Sequence, residues 1–133
     1  MRWFAMVLAL AVPPMARAAP PGCAPGILGG WTGHVWDQGR LKDLFTDFST
    51  ETGELTGTYR VQDDLDGYDG ALTDFTPSGP CAGSFLWHDR YGTGIVQIDF
   101  RPERDRFDGV WGEWAPRPGN LFDGFRFRPV PSS

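Results

Sequence analysis

The 133-residue chain has no cluster of positive charge, no sustained helical hydrophobic period, no apolar run long enough to cross a bilayer, and no histidine cluster or CxxC pair. Each absence removes a class of function. Past the first eighteen residues, ten basic side chains stand against seventeen acidic ones, a net charge of −7, and the basic ones form no run. Nucleic acid and anionic membrane surfaces are therefore disfavoured as partners. The longest uncharged apolar stretch, Trp3 to Val12, has ten residues, against the about 20 that a membrane-spanning helix needs. The two histidines, His34 and His88, are too few for a histidine-based metal site without help, so neither a metal nor a cofactor is expected.

What is present begins with an export pattern. Arg2 precedes the apolar run, Pro13-Pro14 break it, and Ala16-Arg17-Ala18 supplies small residues around a cut. Residues 1–18 read as a signal peptide, which implies a secreted or periplasmic protein. Lipid attachment at Cys23 is disfavoured by the Pro20-Pro21 lead-in. Residues 19–30 form a Pro/Gly-rich lead-in. In an oxidising compartment the two cysteines, Cys23 and Cys81, are expected to pair. The closed loop is nearly sixty residues, which chain entropy translates into roughly 4 kcal/mol.

The strongest internal signal is a repeat of the form apolar-x-Gly-x-apolar. It occurs at Trp31–Val35, Leu55–Tyr59, Tyr68–Leu72 and Phe107–Trp111; Cys81–Phe85 also fits, and Phe122–Arg126 fits with a changed last position. Its central glycines, 33, 57, 70, 83, 109 and 124, are separated by 24, 13, 13, 26 and 15 residues. The two double gaps should each hide a strand without the glycine. Leu41–Phe48 and Gly94–Phe100 fill them, the second through alternation of Val96, Ile98 and Phe100 with Gln97, Asp99 and Arg101.

Turn-forming clusters such as Asp37-Gln-Gly39, Pro77-Ser-Gly-Pro80 and Pro116-Arg-Pro-Gly119 separate these segments. The prediction is an all-β domain over residues 31–128, with a short tail at 129–133. It is an eight-stranded antiparallel up-and-down meander closed into a barrel, because closure removes both exposed edges. Side-chain alternation turns both apolar residues of each repeat inward.

Gly29-Gly-Trp31 on the first strand, with a basic residue at Arg126 on the last, resembles the opening and closure of calycin barrels, the group that includes avidins and lipocalins. The resemblance implies that the Arg126 guanidinium packs across the Trp31 indole where the barrel closes. It carries no biotin-binding residues onto this sequence.

Chemistry-bearing residues are sparse. His34 and His88 point outward on opposite sides of the predicted barrel, so they cannot share a site. The acidic run Asp63–Gly70 does not fit the EF-hand calcium pattern and reads as an acidic hairpin turn, though calcium bound in another manner stays open. Glu113 follows Trp111 on the inner face, where it can pair with Arg126 or stand alone as a general base. Tyr59, Phe85, Trp87, Phe107 and Trp111 are the candidate lining of an interior cavity, suited to an apolar or planar ligand; the same rings could equally fill the interior. On the outside, Trp36, Val110, Phe125 and Phe127 fall on neighbouring strands as a candidate protein or homo-oligomer interface.

Three functions are compatible with this pattern. The first is an exported binding barrel for a small apolar or aromatic ligand. The second is a protein-binding module such as a hydrolase inhibitor, and the third a small barrel enzyme of cyclase or isomerase type.

Overall fold

Alternation of buried apolar side chains with exposed or half-exposed ones produces the strands. The computed structural model describes residues 23, 26–64 and 66–126. Its strands are β1 (Gly29–Asp37), β2 (Arg40–Ser49), β3 (Thr56–Gln62), β4 (Tyr68–Gly79), β5 (Ala82–Asp89), β6 (Gly92–Arg101), β7 (Arg106–Gly112) and β8 (Gly124–Phe125). Each pairs antiparallel with the next, and β1 pairs with β8, giving a closed barrel in meander order. The two strands expected inside the double gaps are β2 and β6. The proposed leader (1–18), most of the lead-in, Phe127 and the tail lie outside the described residues.

Tight turns set the registers. Gln38 and Gly39 both take positive φ, 52° and 75°, and Asp37 pairs directly with Arg40. A two-residue loop of this kind matches the twist of the strands it joins. In β4 the register shifts between Thr73 and Thr76, with Asp74 at φ 56°; this bulge bends the longest strand around the barrel.

The repeated glycine has a packing explanation. Gly70 lies directly opposite Tyr59, and Gly124 directly opposite Phe107. A Cβ at either position would collide with the ring of its partner. Each large ring thus lies over a bare backbone on the adjacent strand, a favourable cross-strand pairing that a larger residue would block.

Two elements differ from the sequence reading. β1 begins at Gly29, inside the expected lead-in, because its first residues continue the ladder to Phe48. β8 has only two regular residues, and Leu121 and Phe122 join their neighbours through isolated bridges. The cause is Asp123, which is buried. Its carboxylate accepts the His34 backbone N–H at 2.7 Å, and its own N–H donates to the His34 carbonyl at 2.9 Å. The side chain replaces a ladder bond, so closure is maintained while the regular strand is interrupted.

The two ends of the barrel are built differently. At the end holding the β2–β3 and β4–β5 turns, Phe48 packs against Phe85, Phe100 and Phe107 with centroids 5.2–5.8 Å apart. Ile27, fully buried, plugs this end, and the Cys23–Cys81 disulfide ties the preceding chain to the barrel wall. The opposite end, where β1, β3, β5 and β7 finish, stays open.

Candidate functional site: the open end of the barrel

A cavity of about 170 Å³ occupies the open end. Trp87 on β5 and Trp111 on β7 form one wall, their rings 5.6 Å apart and perpendicular. Both indoles are fixed by hydrogen bonds: Trp87 Nε1 donates to the Gly112 carbonyl at 3.1 Å, and Trp111 Nε1 to the Trp36 carbonyl at 2.9 Å. Tyr59, Tyr68 and Tyr91 line the cavity with Phe122, Val35 and Val61. Tyr68 and Tyr91 meet edge to face at 5.0 Å. Asp37, Asp89, Glu113 and Gln38 supply the polar part of the lining.

Two tyrosine–aspartate pairs organise the polar groups. Tyr59 Oη donates to Asp89 Oδ2, and Tyr68 Oη to Asp37 Oδ2, each at 2.6 Å. Burial, then hydrogen bonding to these carboxylates, pushes both phenols well above the ordinary tyrosine range. They therefore remain donors. Asp89 Oδ1 accepts a further bond from the Tyr91 N–H at 2.8 Å.

Lys42 projects inward from β2 beside this site and is 5% exposed. Its ammonium lies 3.0 Å from Asp63 Oδ2 and 3.4 Å from Asp37 Oδ2, and it donates to Gln38 Oε1 at 2.9 Å. Asp63 also receives Arg40 at 2.7 Å. Hydrogen bonds from Arg40 and then Lys42 hold the Asp63 carboxyl well below its usual range. A buried ammonium with two carboxylates is a satisfied group, so the arrangement fixes the rim of the barrel.

The five residues expected to line an interior cavity separate into two groups. Tyr59, Trp87 and Trp111 border the cavity. Phe85 and Phe107 are fully buried in the ring cluster of the closed half. The interior is thus filled at one end and hollow at the other. Arg126 stacks on Trp31 at 4.3 Å. It also donates to the Gly26 carbonyl at 2.9 Å and to that of Leu28. Gly29 beside it has φ 95°, and a Cβ there would come within 3.1 Å of Arg126 Nη1.

The suggested Glu113–Arg126 pair is corrected. Glu113 sits at the open mouth, while Arg126 caps the closed end, because strand β7 runs the height of the barrel between them. His34 and His88 occupy β1 and β5 as expected, and His88 Nε2 meets Thr73 Oγ1 at 2.8 Å. In the acidic run, Asp63 meets Arg40 and Lys42, Asp66 meets Arg90, and Asp69 meets Arg60. Among the described residues no cluster of His, Cys, Asp and Glu is arranged to hold a metal ion.

On the outer surface Trp36 is exposed, with Val110 and Phe125 half-buried near it; Phe127 lies outside the described residues. Leu41 and Phe45 extend this apolar face onto β2, opposite Trp36 and Thr32 respectively. Sequence reasoning missed these two, together with Lys42, Asp37 and Asp89. The signal for β2 was present: Lys42 shares its parity with Leu44 and Phe48, which places it inside and Leu41 and Phe45 outside. The same parity puts Asp37 with Trp31 and Val35, and Asp89 with Phe85 and Trp87, on the inner face, but it gave no sign of their tyrosine partners. Comparison with protein-family models, curated proteins and solved structures gave no match for this chain.

Proposed function

We propose that the protein is an exported binding barrel that holds a small planar ligand at its open end. One observation carries the reading: a cavity of about 170 Å³ with indole and phenol walls remains at one end of a barrel whose other end is filled. An apolar cavity of about 150 Å³ accommodates benzene, so the space suits one substituted ring. Fixed rings and a few convergent polar groups are the usual make-up of small-molecule sites. The leader pattern and the disulfide support export. The meander order and the stacking of Arg126 on Trp31 support the likeness to calycin barrels.

The test is titration of intrinsic tryptophan fluorescence with a panel of small ring compounds, phenol and indole analogues included. Saturable change is expected, and it should be lost in Trp87→Ala and Trp111→Ala variants that remain folded by circular dichroism. A flat response across the panel would sink the reading.

A second reading, a protein-binding module, is favoured by a separate observation. Trp114, on the loop after β7, is 95% exposed, beside Ala115 and the Pro-Arg-Pro sequence. A large ring in water next to a site mouth suits an anchor for a protein partner. Native mass spectrometry of the protein from its own compartment should then show a bound protein that Trp114→Ala loses; a bare monomer would count against it.

A further inference from the structure

The charge balance at the open end selects a ligand chemistry. Around the mouth, Arg40, Lys42 and Arg90 face Asp37, Asp63, Asp66, Asp89 and Glu113. The three cations are already engaged: Arg40 with Asp63, Lys42 with Asp37 and Asp63, and Arg90 with Asp66 at 2.8 Å. Asp89 and Glu113 have no cationic partner among the described residues, although both line the cavity. Arg117, on the following loop, borders the same surface as Glu113 yet makes no ion pair with it. No lysine or arginine lines the cavity itself.

Asp89 is held for a task of this kind. The Tyr59 hydroxyl and the Tyr91 N–H each take one acceptor position, on different oxygens. A carboxylate offers about four such positions, so roughly two stay open for another donor. The surrounding rings favour positive charge over their faces. Arg90 already shows this preference, 5.4 Å over Tyr68 and 5.1 Å over Tyr91. Uncompensated carboxylates within low-dielectric aromatic walls focus a negative potential into the cavity.

We infer that the ligand is a ring bearing a protonated amine, its ammonium donating to Asp89 with Glu113 at the mouth, and its ring against Trp87 and Trp111. The inference rests on reading the cavity as a small-molecule site, and it adds the charge of what is bound.

The experiment compares three compounds sharing one ring: benzylammonium, benzyl alcohol and benzoate. Each is titrated at neutral pH and low salt by tryptophan fluorescence and by NMR chemical-shift perturbation. Benzylammonium should bind about tenfold more tightly than the alcohol, and benzoate should bind least. Asp89→Asn, which keeps an acceptor for Tyr59, should bring the ammonium and the alcohol to equal affinity. Glu113→Gln, at an exposed position, should weaken ammonium binding by about two- to threefold and leave the alcohol unchanged.

Equal binding of ammonium and alcohol to the unaltered protein, or preference for benzoate, would overturn the inference while leaving the small-molecule reading standing. Full ammonium preference in both folded variants would also overturn it. Binding of none of the three, with no response to the wider ring panel, would remove the small-molecule reading itself. Should Asp89→Asn fail to fold, the three-compound comparison on the unaltered protein and Glu113→Gln still decide.

Discussion

The closed and open ends of the barrel are made by the same strands, yet they differ in every respect that matters for function. At the closed end the inward positions are mostly hydrocarbon: Phe48, Phe85, Phe100, Phe107 and Leu55 are buried together. Trp31, packed on Phe107, satisfies its indole N–H on the Ile27 carbonyl at 3.0 Å, and the rings interlock. At the open end the inward positions are Lys42, Tyr59, Tyr68 and Trp87, each with a polar tip. Those tips require partners: Trp87 takes the Gly112 carbonyl, while Asp37, Asp63 and Asp89, which serve the other three, bring charge that cannot be packed into a dry core. A cavity remains where apolar filling stops. Apolar packing is concentrated at one end and polar and charged groups at the other.

The ring cluster is where this division is most open to attack. Phe85→Ala should cost about 5 kcal/mol, the upper part of the range for a buried phenylalanine, because Phe48 and Phe75 hold their places around it. Urea unfolding should show a lower midpoint with little change in slope. Removing the disulfide with Cys23→Ser and Cys81→Ser should cost about 4 kcal/mol, read in the same way, with ligand response at the open end retained. If the double variant loses the response before it unfolds, the ends are coupled and the division is wrong.

Smaller effects refine the picture. Gly124→Ala puts a methyl group into the Phe107 ring and should cost about 2 kcal/mol, again read from the urea midpoint. At the open end, Tyr68→Phe removes one hydrogen bond to Asp37 and should cost about 1 kcal/mol. A loss as large as that of Phe85→Ala would invert the contrast between the ends.

The smallest expected effect concerns acid. Arg40 and Lys42 hold the Asp63 carboxyl below its ordinary value of 3.8. The folded protein therefore holds this proton less tightly than the unfolded chain does. The stabilisation is present above that ordinary value and is lost as pH falls through the lower, folded one. Thermal melts should place Asp63→Asn below the unaltered protein at neutral pH, with the gap narrowing as pH falls below 3.8. A gap that widens on acidification would contradict the assignment.

Legibility of the fold followed side-chain parity. Trp31, Val35, Leu72, Val96 and Ile98 alternate with polar or small neighbours, so their burial could be read from spacing alone. The same parity placed Tyr59, Trp87 and Trp111 inside, but it could not say that these three would border a hollow while Phe85 and Phe107 filled a core. Height along the barrel decides that, and height depends on how far each strand is offset from the next. Asp37 and Asp89 share the inward parity of Val35 and Trp87, so their face was legible and their partners were not. They end β1 and β5: register alone sets Asp89 and Tyr59 on either side of Gly70, while the curvature of the sheet brings Asp37 to Tyr68.

Strand number, strand order, the inward faces and the disulfide were already settled in the linear chain, because each follows from a local period or from a count of two cysteines. Which end is filled and which is open was settled only when the sheet closed. Pairing of β1, β2 and β3 set Lys42 between two aspartates, and closure left Asp89 facing the cavity without a cation of its own among the described residues. Those relations join residues on different strands, and only strand pairing, offset and the curvature of the sheet fix the distances between them.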